Sequence, residues 1–224
     1  MLDPQLLTLL QGELASANLS LGEEAVARLY DHARLLVKWN KAVRLVGSTD
    51  PETLVSRHIM ESLALIPFIH EPRGSLLDIG SGNGYPAIPI KCALPDLRLA
   101  MMEPTMRKSV FLRTVIADLK LTDTEVLRTR VDRPADLSRH GRWDCITMRA
   151  VAAIPAVMGG APQALRSAGR LIFMVGDEGR DQILRSLTPD LSVLGDVRSP
   201  GRHSSHVVVV GLGAGTTPAS ETVH

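Results

Sequence analysis

Leu76-Leu77-Asp78-Ile79-Gly80-Ser81-Gly82-Asn83-Gly84-Tyr85-Pro86 is the stretch on which the fold turns. An apolar run ends in an acid and passes at once into three alternating glycines. That succession describes a strand, a tight turn and a helix start. Glycine has no Cβ and tolerates positive φ, so such a turn can approach a bulky group closely. The helix that follows offers unpaired N–H donors at its first turn. Pro86 suits the first helical position, where a missing N–H costs nothing. The stretch reads as a nucleotide-type cofactor site.

The next apolar run, Leu97-Arg98-Leu99-Ala100-Met101-Met102, ends at Glu103. In a dinucleotide fingerprint the glycines follow G-x-G-x-x-G, and an acid about 20 residues further on binds a ribose hydroxyl. Here the glycines run G-x-G-x-G, and Glu103 stands near that distance past Gly84, so the ribose role survives on a second strand. The shortened spacing, with Asp78 before it, resembles the first motif of class I S-adenosylmethionine-dependent methyltransferases. The glycines alone are equally compatible with a simple turn; Asp78 and Glu103 favour a ligand.

A chain of 224 residues holds one substantial α/β domain with an appendage. Its 45% hydrophobic content is that of a globular protein. A net charge of +1 supplies no bulk attraction for nucleic acid, so any such binding must come from a local patch. Cys92 and Cys145 are too few for a disulfide framework and suit small buried hydrophobes. No Cys/His spacing suggests a metal. No run reaches the roughly 18 apolar residues of a membrane span, and Met1-Leu2-Asp3-Pro4 lacks the basic start of a leader. The expected setting is the cytoplasm, without membrane or metal, as a monomer.

Three segments follow along the chain. Residues 1–72 read as a helical N-terminal cap, with apolar residues at Val26, Leu29, Tyr30, Ala33, Leu36, Val37 and Trp39 near a 3.6 period. Within it Asp50-Pro51-Glu52 marks a helix start reaching Ile66. Residues 73–212 alternate strands near 75–79, 98–102, 124–128, 142–148 and 170–175 with helices near 86–94, 105–119, 154–167 and 179–187. This alternation specifies a parallel sheet covered on both faces. The runs 191–194 and 207–210 add two strands suited to an antiparallel closing hairpin. Residues 213–224 are small and polar, an expected disordered tail. Ligands of open α/β sheets sit outside the carboxyl ends of the strands at the switch point. Asp78, Glu103, Arg128-Thr129-Arg130-Val131-Asp132 and Met148-Arg149-Ala150 all fall at such ends.

Taken in order, these segments resemble the family of bacterial small-subunit ribosomal RNA guanine-N7 methyltransferases, RsmG, also called GidB. The resemblance spans about residues 35 to 210. It rests on Trp39-Asn40-Lys41, Arg57-His58 with Glu61-Ser62-Leu63, the stretch Asp78 to Pro89 with its prolines at 86 and 89, and Pro95-Asp96-Leu97. Glu103, Arg107-Lys108, Phe111-Leu112-Arg113 and Arg149-Ala150 complete it. It implies a class I methyltransferase fold, a Rossmann-like seven-stranded sheet with an antiparallel last strand under the helical cap. It also implies S-adenosylmethionine as cofactor and small-subunit ribosomal RNA as partner. Asp78, Gly80, Ser81, Gly82, Gly84 and Tyr85 would form the cofactor turn, with Gly80 and Tyr85 in contact. Glu103 would hold the ribose and Val131-Asp132 the adenine edge. Arg149 would lie beside the cofactor as the catalytic residue facing the substrate. Arg57, His58, Arg107, Lys108 and Arg130 are the candidates for RNA.

The chain also departs from the family pattern. Arg44-Leu45-Val46 stands where the family has Asn-Leu-Thr, Ala87 replaces a glycine, Met148 a serine, Asp132 a glutamate, and Val175-Gly176 a Lys-Gly pair. The lost cleft lysine and hydroxyl leave open a diverged paralogue acting on another RNA or a small molecule. A noncatalytic or dinucleotide-binding Rossmann protein is a more distant alternative. For Arg149 the plain alternative is a structural ion pair with a neighbouring acid. For His58 it is a helix-surface side chain capping a neighbour. For the basic loop Arg128, Arg130, Arg133, Arg139, Arg142 it is a solvated surface. Trp39 on its apolar stripe reads as core before it reads as a base-stacking platform.

Overall fold

A computed structural model of the chain describes residues 4–149, 153–198 and 205–213. Its N-terminal layer consists of α1 (Pro4–Ser16), α2 (Glu23–Asn40), α3 (Pro51–Thr53), a π-helical stretch Leu54–Met60, and α4 (Glu61–Leu63). Asp50 caps α3 as its sequence demands, its side chain accepting the Thr53 N–H at 2.8 Å. The alternating part runs β1 (Ser75–Ile79), α5 (Ala87–Ala93), β2 (Arg98–Met102), α6 (Met106–Asp118), β3 (Thr124–Leu127), α7 (Pro134–Ser138), β4 (Trp143–Arg149). It continues α8 (Ile154–Ala164), β5 (Leu165–Gly176), α9 (Asp177–Arg185), β6 (Leu191–Arg198), β7 (Ser205–Leu212).

The strands form one seven-stranded sheet in the order β3-β2-β1-β4-β5-β7-β6. Strands β1 to β5 are parallel, and β7 runs antiparallel to both β5 and β6. This is the expected class I architecture. Some boundaries differ from the sequence expectation. The helix expected over 154–167 stops at Ala164 because Leu165 already pairs with Trp143 of β4. Pro86 precedes α5 at the N-cap position, after a cis Tyr85–Pro86 bond, instead of opening the helix. The short helix α7 is an addition to the expected elements. Of the tail, residues 214–224 lie outside the described residues.

Successive β residues point to opposite faces, and the core divides accordingly. Leu76, Met101 and Ile172 share one apolar layer with Leu10, Leu29, Leu36, Ile59 and Leu63 of the N-terminal helices. Leu77, Ala100, Ile146 and Phe173 share the other with Val157 and Met158 of α8. The cap is thus a covering layer of the sheet, its buried leucines continuous with the sheet's own apolar face. Each fully buried leucine stabilises that union by about 1.5–3 kcal/mol over its exposed state. The chain order of the strands reverses between β1 and β4, so a crevice opens at their carboxyl ends.

Candidate active site

A cavity of about 640 Å³ opens at this reversal. Small-molecule sites span about 300–1,000 Å³. Gly80 of the turn, Glu103 and Lys108 beyond β2, Thr129 to Asp132 beyond β3, Arg149 at the end of β4, and Ala153, Pro155 and Ala156 at α8 all line it. Of the strand ends expected to converge, those after β2, β3 and β4 meet here through Glu103, Thr129 to Asp132 and Arg149, while β1 contributes Ile79 and Gly80 and not Asp78; Ala150 lies outside the described residues.

The turn after β1 depends on its glycines. Gly80, Gly82 and Gly84 have φ of 73, 50 and 89°. The N–H groups of Gly80 and Ser81 donate to the Met102 carbonyl at 2.9 and 3.0 Å, tying the turn to the end of β2. Glu103 completes the tie: one carboxylate oxygen accepts the Gly82 N–H at 3.0 Å, the other the Thr105 N–H at 2.7 Å. Only 4% exposed, it is buried yet satisfied. Each oxygen keeps a lone pair for a ligand hydroxyl.

Asp78, Ser81, Gly82, Gly84 and Tyr85 do not line the cavity. Asp78 lies beneath it in β1, one oxygen accepting the Thr147 hydroxyl at 2.7 Å and the other without a partner. Burial pushes its carboxyl up to about 6, against the pull of the neighbouring Ser81 and Thr147 hydroxyls. Gly84 serves packing: a Cβ there would stand 2.8 Å from Ile88 Cγ1 and 3.0 Å from His32 Nε2. His32, from α2, reaches in to the Asn83 carbonyl at 3.0 Å. Tyr85 corrects the sequence expectation of a cofactor contact. Its ring stacks on His58 at 5.0 Å and meets His32 at 4.7 Å, turned to the N-terminal helices. Its hydroxyl is enclosed without a partner.

Arg149 makes the ion pair that was its plain alternative and also stands at the cavity. It lines the cavity, and its Nη2 donates to Glu61 Oε2 at 2.8 Å and to the Arg57 carbonyl at 2.9 Å. Of the RNA candidates, Lys108 and the exposed Arg130 line the cavity, while Arg57 and Arg107 are exposed outside it. His58, half-buried, turns its ring inward onto Tyr85 instead of lying free on the helix surface. Burial, with the charges of Arg149 and Arg57, lowers its pKa to about 4. In the basic loop Arg133 and Arg139 pair with Asp136 at 3.2 and 3.5 Å. Trp39 lies edge-on to Phe111 at 5.7 Å, half-buried against the core. Cys92 and Cys145 are free and buried. Among the described residues no cluster of His, Cys, Asp or Glu suits a metal ion, and no helix is long and apolar enough to cross a membrane.

Residues 25–195 match the family model GidB, described as rRNA small subunit methyltransferase G. The chain belongs to that family. The ribosomal RNA small subunit methyltransferase G of Desulfitobacterium hafniense (strain Y51) is 31% identical over 211 residues, 90% of this chain and 87% of that one. That of Geotalea uraniireducens (strain Rf4) is 37% identical over 164 residues, 73% of this chain and 74% of that one. Among solved structures, ribosomal protein L11 methylase from Lactobacillus delbrueckii subsp. bulgaricus aligns with a TM-score of 0.59 at 15% identity, covering 70% of this chain and 80% of that one. Aeropyrum pernix fibrillarin, solved with natively bound S-adenosyl-L-methionine, aligns with a TM-score of 0.54 at 17% identity, covering 67% and 73%. At such identities the structures speak for the fold alone.

Two departures from the family pattern acquire a location. Met148 and Val175, 1% and 8% exposed, fill the apolar layer beneath α8 and do not line the cavity. The cleft position expected for residue 175 is therefore corrected: an apolar side chain suits where it sits. Several lining residues are not found by sequence reasoning. Ala153, Pro155 and Ala156 carry no chemical signature. Thr105, two residues past Glu103, is legible only as the residue before α6. Glu61 stands in a family motif that by itself assigns it no role.

Proposed function

We propose that the protein transfers the methyl group of S-adenosylmethionine to N7 of a guanine in small-subunit ribosomal RNA. The observation that carries this reading is the meeting of Glu103, Val131, Asp132 and Arg149 around one cavity at the switch point of the sheet. The cavity suits the cofactor. A buried carboxylate with lone pairs to spare stands where ribose hydroxyls need an acceptor, and Val131, Ala153 and Ala156 offer an apolar wall to adenine. Membership of the family supports the acceptor.

When bound, S-adenosylmethionine supplies an electrophilic methyl on a sulfonium sulfur. Guanine N7 carries its lone pair in the ring plane and attacks without first losing a proton, so no general base is required. No histidine lines the cavity among the described residues. The chain's task is to align donor and acceptor at about 3 Å and exclude water. Arg149 hydrogen-bonds guanine O6 or an adjoining phosphate and fixes the base. Lys108 and Arg130 at the cavity, with Arg107 and Arg57 beyond it, meet backbone phosphates. We infer a cytoplasmic monomer as the working unit.

The experiment is transfer of labelled methyl to small ribosomal subunits from a strain lacking the family's modification, with the product base mapped. N7-methylguanine at one site supports the proposal. No transfer by a protein that binds S-adenosylmethionine would overturn it in favour of another acceptor.

A further inference from the structure

Glu61 is a carboxylate only 8% exposed. Removing a charge from water is costly unless it is paired and hydrogen-bonded. Its Oε2 accepts from Arg149 Nη2 at 2.8 Å, and the same Nη2 donates to the Arg57 carbonyl at 2.9 Å. A guanidinium NH₂ has two hydrogens. Both are committed to the N-terminal layer, and since the guanidinium is a rigid planar fork, its orientation is set from there. The donors left to Arg149 are Nε and Nη1, and Nη1 is enclosed without a partner. Arg149 itself is the last residue of β4 and lines the cavity, whereas no described residue before Ile79 does. The clamp is thus the direct hydrogen-bonded link from the N-terminal helices to the side chain that faces the acceptor.

We infer that Glu61 is a positioning residue for methyl transfer: it holds Arg149 by Nη2 in the orientation from which the guanidinium faces the acceptor base. The inference rests on the proposed function. It makes the N-terminal helices part of the reacting apparatus as well as a cover for the core. An ion pair that merely fastened the helices to the sheet would leave the rate of transfer alone once the protein was folded.

Glu61→Ala strips the counter-ion from an enclosed charge and endangers folding, so Glu61→Gln, which keeps the shape and one acceptor oxygen, is the variant of choice. Two readouts decide. The first is arginine-selective NMR of the full chain. Rotation about the Arg149 Cζ–Nη2 bond is expected to be slow in the wild type and fast in Glu61→Gln. Equal restriction in both overturns the inference whatever the activity. The second is methyl transfer, compared with Glu61→Gln made in an Arg149→Lys background. Misplacing a positioned group costs up to about 100-fold in rate, and kcat is expected to fall on the order of tenfold, with S-adenosylhomocysteine affinity unchanged. Because residues acting through one another are not additive, the substitution should cost nothing further in the Arg149→Lys background. The same loss in both backgrounds overturns the inference. A wild type that methylates no N7 overturns the proposed function instead, and the NMR result then still decides the positioning of Arg149.

Discussion

Arg149 carries the sharpest expectation at the scale of single residues. Arg149→Ala should lower methyl transfer on the order of 100-fold while S-adenosylhomocysteine affinity, measured by calorimetry, stays within about threefold. Unchanged transfer would remove Arg149 from the chemistry. Glu103 should behave in the opposite way. Its carboxylate seats the glycine turn through Gly82 and is the acceptor proposed for the ribose. A hydrogen bond to a charged group is worth about 1.5–3 kcal/mol. Glu103→Gln should therefore weaken S-adenosylhomocysteine binding about tenfold or more. Equal affinity in the same calorimeter would show the ribose is held elsewhere. Gly84 is a matter of space: its φ is 89°, and a Cβ added there would meet His32 Nε2 at 3.0 Å, so Gly84→Ala should destabilise by about 1–3 kcal/mol in urea melts. A neutral result would mean that α2 yields easily.

At the scale of elements, the junction between the N-terminal helices and the turn after β1 holds two histidines that burial keeps neutral. His32 of α2 and His58 of the π-helical stretch are both lowered to about 4 from 6.5, first by desolvation. Between pH 6.5 and 4 the unfolded chain binds protons there that the folded one refuses. The stability these groups contribute is complete above about pH 6.5 and is lost as the pH falls. Asp78 works the other way. Its carboxyl, pushed up to about 6 from 3.8, lets the folded state take a proton first and offsets part of the loss. Two histidines against one carboxyl leave a net fall. The melting temperature should therefore drop between about pH 6.5 and 4.5, and His58→Phe, which preserves a ring against Tyr85, should flatten the profile. A profile as steep as the wild type's would exonerate His58.

For the whole molecule a net charge of +1 means that attraction to RNA must be local. The Lys108→Ala/Arg130→Ala double variant should raise the KM for ribosomal subunits and reduce its dependence on salt by about one unit of log–log slope per lost phosphate contact. A salt dependence identical to the wild type's would move the RNA surface elsewhere. The order of elements, the switch-point crevice and the residues Gly80, Glu103, Lys108, Arg130, Val131, Asp132 and Arg149 around it are all legible in the chain. Strand periodicity, turn glycines and strand-end acids are local signals, and parallel connectivity leaves few places for them to converge. The short helix α7 is legible in principle, since Pro134 with Asp136 two residues on is a helix start. What the linear order does not supply is which partner a side chain chooses across the fold. Tyr85 follows the glycines in sequence, yet its ring belongs to His32 and His58, contributed by helices that close over it from the other side. Residue 175 sits at a strand end, yet its side chain points into the apolar layer, because alternation along β5 settles the face. The Arg149–Glu61 pair joins residues 88 positions apart. Sequence determined the fold, the family and the crevice, since these follow from patterns repeated along the chain. Tertiary structure alone decided the clamp on Arg149 and the packing role of Tyr85, because a buried polar group takes whichever partner the folded neighbours bring within about 3 Å.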